Sequence, residues 1–148
     1  MIIRKYNQKD CKQLAALFYD TVHTVNAKDY TKEQLDAWAP QNPDLTHLNK
    51  SFLKNYTVVA VIDNTITGFG NISQSGYIDM LYIHKDYQRQ HIAAEICNTL
   101  ETSINSPYYE VHASISAKAF FEKRGYRVVK EQNVERGGIL LKNFVMRK

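Results

Sequence analysis

The stretch DYQRQHIA, residues 86–93, runs from the end of a strand-like segment straight into a pattern of helical spacing. The first N–H groups of a helix have no intrahelical acceptor, and they sit at the positive end of its dipole. Such a place binds phosphate. Arg89 and Lys85 add charge-assisted contacts there, and the small Ala93 and Ala94 let a pyrophosphate approach the backbone. The other reactive side chains show less pattern. Cys11 and Cys97 form no CxxC pair and have no metal-ligand spacing, so no metal site is expected and both thiols are expected to be buried and reduced. His84 is expected to end a strand, and His47 and His112 carry no spacing signal.

The elements that must position this loop follow from periodicity. IIRKY opens as a short strand, and Asn7 or Asp10 caps an amphipathic helix over residues 8 to 23 with Leu14, Leu17, Phe18, Thr21 and Val22 at helical spacing. Thr31 and Gln34 form a capping-box pattern for a short helix through Leu35 and Trp38, ended by Pro40 and Pro43. Residues 24 to 50 otherwise read as a loop. Segments 56–62 and 65–74 flank Asp63 and Asn64 as a hairpin, and 77–84 is a third strand. Residues 91–104 carry Ile92, Ile96, Leu100 and Ile104 on one helical face, with Pro107 as the stop. A strand at 108–114, a helix at 116–124 halted by Gly125 and two terminal strands complete the chain.

This order implies an α/β (α+β) fold, a mixed central sheet of six to seven strands with helices on both faces. The strand at 77–84, the helix at 91–104 and the next strand form a right-handed parallel βαβ unit. Ligands favour the carboxyl ends of such strands, where loop 84–91 lies.

Composition narrows the class. The chain has 148 residues, the size of one domain, and 44% hydrophobic with 23% charged residues excludes a disordered or fibrous protein. No apolar run approaches the roughly 20 residues of a membrane span. MIIRKYNQKD is unlike a signal peptide, so a cytoplasmic location without membrane association is expected. The net charge of +4 permits a polyanionic ligand, but the basic residues are scattered and no nucleic-acid-binding signature accompanies them, so nucleic acid is not an expected partner.

The stretch YIDMLYIHKDYQRQHIAAEI resembles the acetyl-CoA-binding segment of the GNAT superfamily of N-acetyltransferases, whose signature is Gln or Arg, two arbitrary residues, Gly, one arbitrary residue, then Gly or Ala. Gln88 takes the first position, Arg89 and Gln90 the pair, Ile92 the spacer and Ala93 the last, while His91 stands at the glycine. If the backbone there needs glycine, a side chain adds strain. VHASISAKAFFEKRGYRVV resembles the second cofactor segment, through Ala117, Phe120, Glu122, Lys123, Gly125 and Tyr126. In it Ser114 stands where Asn is usual, and Phe121 where a tyrosine often protonates the leaving thiolate. HTVNAKDYTKEQLDAWAP and ERGGILLKNFVMRK resemble a subgroup of small bacterial acetyltransferases, so the resemblance covers nearly the whole chain, read as one domain over 1–148.

The resemblance implies transfer of acetyl from acetyl-CoA to a primary amine by direct attack in a ternary complex. It places acetyl-CoA against Leu81, Tyr82 and Ile83 on a splayed strand, against residues 88 to 93, and beside Ser114 and Phe121. The Leu81 N–H would then oppose the developing negative charge. Asp79, expected on Leu81's strand face, with His23 and Tyr30 from the early helices, are the candidate bases for the amine. Trp38 either walls the acceptor pocket or belongs to the core. Asp29, Glu33, Asp36 and Asp44 make the acceptor loop acidic and favour a cationic amine. A homodimer through the terminal strands is compatible with the resemblance. Two alternatives remain beside it: a non-catalytic module that binds CoA, and an enzyme acting on a nucleic-acid-linked amine such as aminoacyl-tRNA.

Overall fold

A computed structural model describes residues 1–148. Strand β1 (Ile2–Lys5) leads into a tight cap, where the Asn7 side chain accepts from Lys9 N (2.9 Å) and Asn7 N donates to Asp10 Oδ2 (2.9 Å). Arg4 grips the same Asp10 with two bonds, at 2.8 and 3.0 Å. Because Asp10 is engaged in both, the expected helix over 8–23 divides into a 3-10 turn, Gln8–Asp10, and helix α1 (Cys11–Val25). The capping box of Thr31 and Gln34 starts helix α2 (Lys32–Trp38), as its sequence implies. Helix α3 (Leu45–Lys54) replaces the end of the expected loop, with Asp44 capping His47 N at 3.1 Å. Phe52 of α3 is buried and Leu48, one turn earlier, packs beside it against the same cluster.

Strands β2 (Tyr56–Ile62) and β3 (Thr65–Ile72) join through Asp63 and Asn64, both left-handed (φ 48° and 63°), the hallmark of a primed hairpin turn. They are followed by β4 (Tyr77–Ile83), helix α4 (Ile92–Ser103), β5 (Glu110–Ser114), helix α5 (Lys118–Lys123), β6 (Arg127–Arg136) and β7 (Ile139–Arg147). Helix α4 stops short of Pro107, since Ile104 is already extended (φ −120°, ψ 128°). Gly125 at φ 99° stops the α5 segment where its sequence implied.

The seven strands form one mixed sheet in the order β1-β2-β3-β4-β5-β7-β6, antiparallel except for β4 beside β5. Helices cover both faces. On one, α4 and α5 bury Ile96, Leu100 and Phe121 against Val58, Ile78 and Met146. On the other, α1 and α3 bury Leu14, Leu17 and Phe52 against Val59 and Phe69. Helix α4 can lie close to β3 because a Cβ on Gly70 would come within 3.0 Å of Ile96 Cγ2 and 3.1 Å of the Met80 carbonyl. No helix is long and apolar enough to cross a membrane.

Candidate functional site

Strands β4 and β5 pair at only two positions, Tyr77 with Glu110 and Ile78 with Val111, and then diverge. The divergence begins at a bulge. Asn71 pairs with Met80 and Ile72 with Ile78, so Asp79 is an extra residue in β4. Asn71 Oδ1 accepts from Met80 N (2.9 Å), a side chain standing in for a ladder carbonyl.

The bulge breaks the inside-outside alternation of β4. Ile78 and Leu81, three residues apart, both pack toward α4, while Met80 packs toward α1. Asp79 therefore does not share Leu81's face, as simple alternation suggested, and turns instead toward the side of α1 and α2.

Beyond the bulge, Met80 N and His84 N (to Thr67 O, 2.8 Å) point at β3. The N–H groups of Leu81 and Ile83 consequently point at the edge that β5 has left. The Ile83 carbonyl on this edge accepts from Thr21 Oγ1 (3.0 Å) and Gln88 Nε2 (2.7 Å), which close the far end of the gap.

The opened seam is a cleft of ≈ 700 Å³, within the usual range for small-ligand sites. From β4 it is lined by Asp79, Leu81, Tyr82 and Ile83, from the loop and α4 by Gln88 through Ala94, and from β5 and α5 by His112, Ser114, Ser116 and Phe121. Lys85, expected beside the phosphate-binding turn, is exposed and does not line the cleft.

The head of α4 has the geometry that its composition implies. Its first helical bond runs from Glu95 N to His91 O (3.1 Å), which leaves the N–H groups of Ile92, Ala93 and Ala94 without helical acceptors beside the cleft. Arg89 (φ 61°) and His91 (φ 63°) are left-handed, and left-handed residues in a turn gather N–H groups into an anion-binding concavity. His91 thus holds a conformation that glycine adopts without penalty, and its side chain makes no capping bond. The Ile92 side chain is buried in the core, so only its backbone faces the cleft.

The expected site residues divide. Ser114 lines the cleft and accepts from Ala117 N at 3.1 Å. Phe121 is buried against Phe120 and Tyr126, apolar throughout. Tyr82 turns its ring toward the helices, edge-on to Phe18 at 4.8 Å, and its hydroxyl accepts from Trp38 Nε1 (3.1 Å). Burial raises its pKa well above the tyrosine norm, so it remains a neutral hydroxyl. Trp38 accordingly walls the cleft.

His23 and Tyr30 lie outside the cleft. His23 Nε2 bonds the Ala39 carbonyl (2.8 Å), its ring stacks on Tyr19 at 4.1 Å, and it tethers α2 to α1. The buried Tyr30 hydroxyl donates to Lys142 O and accepts from Ile115 N, so its proton is committed away from the cleft. Of the acidic residues of the 24–50 segment, Asp29 accepts from Ser116 Oγ (2.7 Å), Asp36 pairs with Lys32, Asp44 caps α3, and Glu33 is exposed on α2 outside the cleft. Asp79 is the carboxylate that lines the cleft. It keeps solvent access yet lies among protein groups; desolvation raises its pKa, opposed by the nearby Arg136 guanidinium.

Residues with no sequence signal also line the site. Thr21, Asn26 and Lys28 come from α1 and the turn after it, and His112 from β5. The one available clue was the Glu110-x-His112 spacing, which puts both side chains on one face of a strand.

A cleft between diverging parallel strands, headed by a helix N-terminus, defines an α/β protein built to hold a phosphate-bearing ligand. Comparison with known proteins narrows this. Residues 26–148 match the family model of the acetyltransferase (GNAT) domain. The chain is 36% identical over 146 residues to the uncharacterized N-acetyltransferase YafP of Escherichia coli (strain K12), spanning 98% of this chain and 93% of the relative. The crystal structure of a GCN5-related N-acetyltransferase from Rhodopseudomonas palustris superposes with TM-score 0.96 at 30% identity, covering 99% of this chain and 94% of that one. The PaiA N-acetyltransferase of Thermoplasma acidophilum, solved with coenzyme A, shares the fold at TM-score 0.78 and 17% identity, with coverage of 99% and 97%. The chain belongs to the GNAT acetyltransferase family.

Proposed function

We propose that this protein transfers the acetyl group of acetyl-CoA to a primary amine, by direct attack within a ternary complex in the β4–β5 cleft. The observation that carries this reading is the free edge of β4 continuous with the head of α4. One structure supplies N–H donors for an acyl arm and a turn of N–H groups for a pyrophosphate.

The residues present fit acetyl-CoA. The N–H groups of Ile92, Ala93 and Ala94 and the turn at Gln88 to His91 suit the pyrophosphate, with Arg89 adding charge. The N–H groups of Leu81 and Ile83 suit the pantetheine arm and the acetyl carbonyl. Acetyl-CoA supplies the activated thioester. At Leu81 an N–H fixed in a strand opposes the charge that grows on the carbonyl oxygen, and it needs no rearrangement to do so.

On the other side of the sheet Asp79, Tyr82 and Trp38 form the acceptor wall. A single carboxylate beside aromatic rings suits a cationic amine, held as the ammonium by Asp79 and packed by its carbon stem against Trp38. This wall takes the place of His23 and Tyr30, which lie outside the cleft. Cys97, buried in α4 with its thiol pushed up to about 12, does not suit a covalent relay.

The test is calorimetric titration with acetyl-CoA, followed by thiol release against a panel of alkylamines, amino acids, peptides and aminoacyl-tRNA. Binding with turnover on any amine upholds the reading. Binding without turnover on any of them leaves a CoA-binding module, and no binding removes both.

A further inference from the structure

Side chains at alternate positions of β5 face the acceptor side of the cleft, and two of them form a chain that the acyl-transfer reading does not use. Arg147 Nε donates to Glu110 Oε1 at 2.7 Å, and Glu110 Oε2 lies 3.4 Å from His112 Nε2. The His112 ring packs edge-on to Tyr77 at 5.0 Å and lines the same cleft as Asp79. At 3.4 Å this is an ion-pair contact rather than a hydrogen bond, and a ring that turns its Nε2 edge to a carboxylate presents Nδ1 away from it. That is the arrangement of an oriented base.

We infer that His112 is the residue that takes the acceptor's proton, oriented by Glu110 and Arg147, while Asp79 holds the ammonium beside it. This rests on the acetyltransferase reading above. Acceptor amines arrive protonated, and a carboxylate is a poor base for an ammonium, whereas imidazole is closer in basicity and can pass the proton on to water. The chemistry balances. His112 Nδ1 takes one proton from R–NH3+, and the freed lone pair forms the C–N bond to the acetyl carbon. The C–S bond breaks with its electron pair on sulfur, and the thiolate takes a second proton from the nitrogen. The first proton leaves His112 for solvent through its exposed edge.

The charged and titratable groups around His112 come from several elements. Glu110 lies on its own strand, Tyr77 and Asp79 on β4, and Arg147 on β7. Lys130 of β6 pairs with Val145, which is itself the partner of His112, and Lys28 lines the cleft. Glu110 is held ionised by its bond from Arg147 despite partial desolvation, and His112 draws it the same way. It is therefore available to stabilise a histidine cation.

The experiment compares kcat/KM against pH for wild type, His112→Gln and Glu110→Gln, with acetyl-CoA affinity measured alongside by calorimetry. His112→Gln is expected to lose about 100-fold in kcat/KM for an alkylamine, the usual contribution of a general base. Acetyl-CoA affinity should stay within about threefold of wild type by the same count. The acid limb of the profile should follow the amine's own titration, and weakly basic amines, which arrive unprotonated, should regain most of the lost rate. Glu110→Gln should shift the acid limb and lose less. An unchanged pH profile in His112→Gln, or an equal loss for weakly and strongly basic amines, overturns the assignment while leaving the acetyltransferase intact. A wild type that binds acetyl-CoA and turns over no amine overturns both.

Discussion

The hydroxyl of Tyr30 joins β5 to β7 from outside the sheet: it accepts from Ile115 N at 2.9 Å and donates to Lys142 O at 2.7 Å. Ile115 follows the last residue of β5, where a parallel strand that kept its neighbour would pair with β4. The next side chain, Ser116, bonds Asp29 at 2.7 Å. Two successive residues of the turn between α1 and α2 thus hold the end of β5 away from β4. The bulge at Asp79 starts the divergence, and this clasp maintains it.

Tyr30→Phe keeps the ring's edge-on packing with Trp38 at 5.2 Å and removes both bonds, leaving a part-buried N–H and carbonyl without this partner. Loss of about 1–3 kcal/mol of stability follows from the desolvation of those groups. A released β5 end should also narrow the cleft, so acetyl-CoA affinity should fall by several-fold. Denaturant unfolding and calorimetry measure the two effects separately. A stability loss with unchanged acetyl-CoA affinity would show that the clasp does not shape the cleft.

Glu101 of α4 gathers three donors: Arg124 at 2.9 and 3.1 Å, Tyr126 at 2.6 Å and Lys148 at 3.1 Å. Desolvation alone would raise its pKa, but these bonds outweigh it and hold the carboxyl below its ordinary 4.5. A depressed folded-state pKa means that the stabilisation is complete above the unfolded value and is lost as pH falls through the folded one. Acid unfolding should therefore steepen below pH 4.5 in wild type and flatten there in Glu101→Gln. At neutral pH that variant should lose about 3 kcal/mol, since Arg124 is left buried without its counter-charge. Urea unfolding at a series of pH values measures both.

The order of elements along the chain and the turn into α4 were legible because they rest on local signals: hairpin residues at Asp63 and Asn64, helical spacing from Ile92 to Leu100, a polar loop between strand and helix; the insertion of β7 between β5 and β6 was not. The terminal strands and the Gly125 stop were legible for the same reason. The acceptor side was not. Tyr30 and His23 have the right chemistry and approximate location, but their hydrogen bonds go to Lys142, Ile115 and Ala39, distant in sequence, and no spacing foretells such partners. Asp79 lies off Leu81's face, contrary to simple alternation, because one extra residue in β4 reverses the pattern and the sequence YIDMLYI carries no mark of a bulge. His112 has no local signal beyond Glu110 two residues earlier, and its place in the cleft depends on where β4 parts from β5.

His91 lies at φ 63°, a conformation that costs an ordinary residue about 1 kcal/mol. His91→Gly removes that penalty and gains unfolded-state entropy, so its net effect should be small and stabilising, up to about 0.5 kcal/mol. Because the imidazole makes no capping bond, acetyl-CoA affinity should be kept or improved. His91→Ala keeps the strain and gives the comparison: affinity lost equally in both variants would mean that the imidazole itself contacts phosphate. Calorimetry on the three proteins decides.

In the proposed reaction Asp79 is the acceptor-side carboxylate; its pKa is raised by desolvation and drawn back by Arg136 and His112. Asp79→Asn is nearly isosteric, so the bulge and the fold should survive with stability within about 0.5 kcal/mol of wild type. It removes the charge that holds the ammonium, and the loss should appear in the amine's KM, about 10-fold or more for a charge-assisted bond. Acetyl-CoA affinity should not move, because the Asp79 side chain lies on the other face from Leu81 and the substitution leaves the β4 backbone and α4 untouched. A neutral acceptor, or an amine assayed above its own pKa, should show a smaller penalty than a fully protonated one. If instead kcat falls with the amine's KM unchanged, Asp79 acts on the reacting proton rather than on the bound ammonium, and the division of labour between it and His112 is reversed.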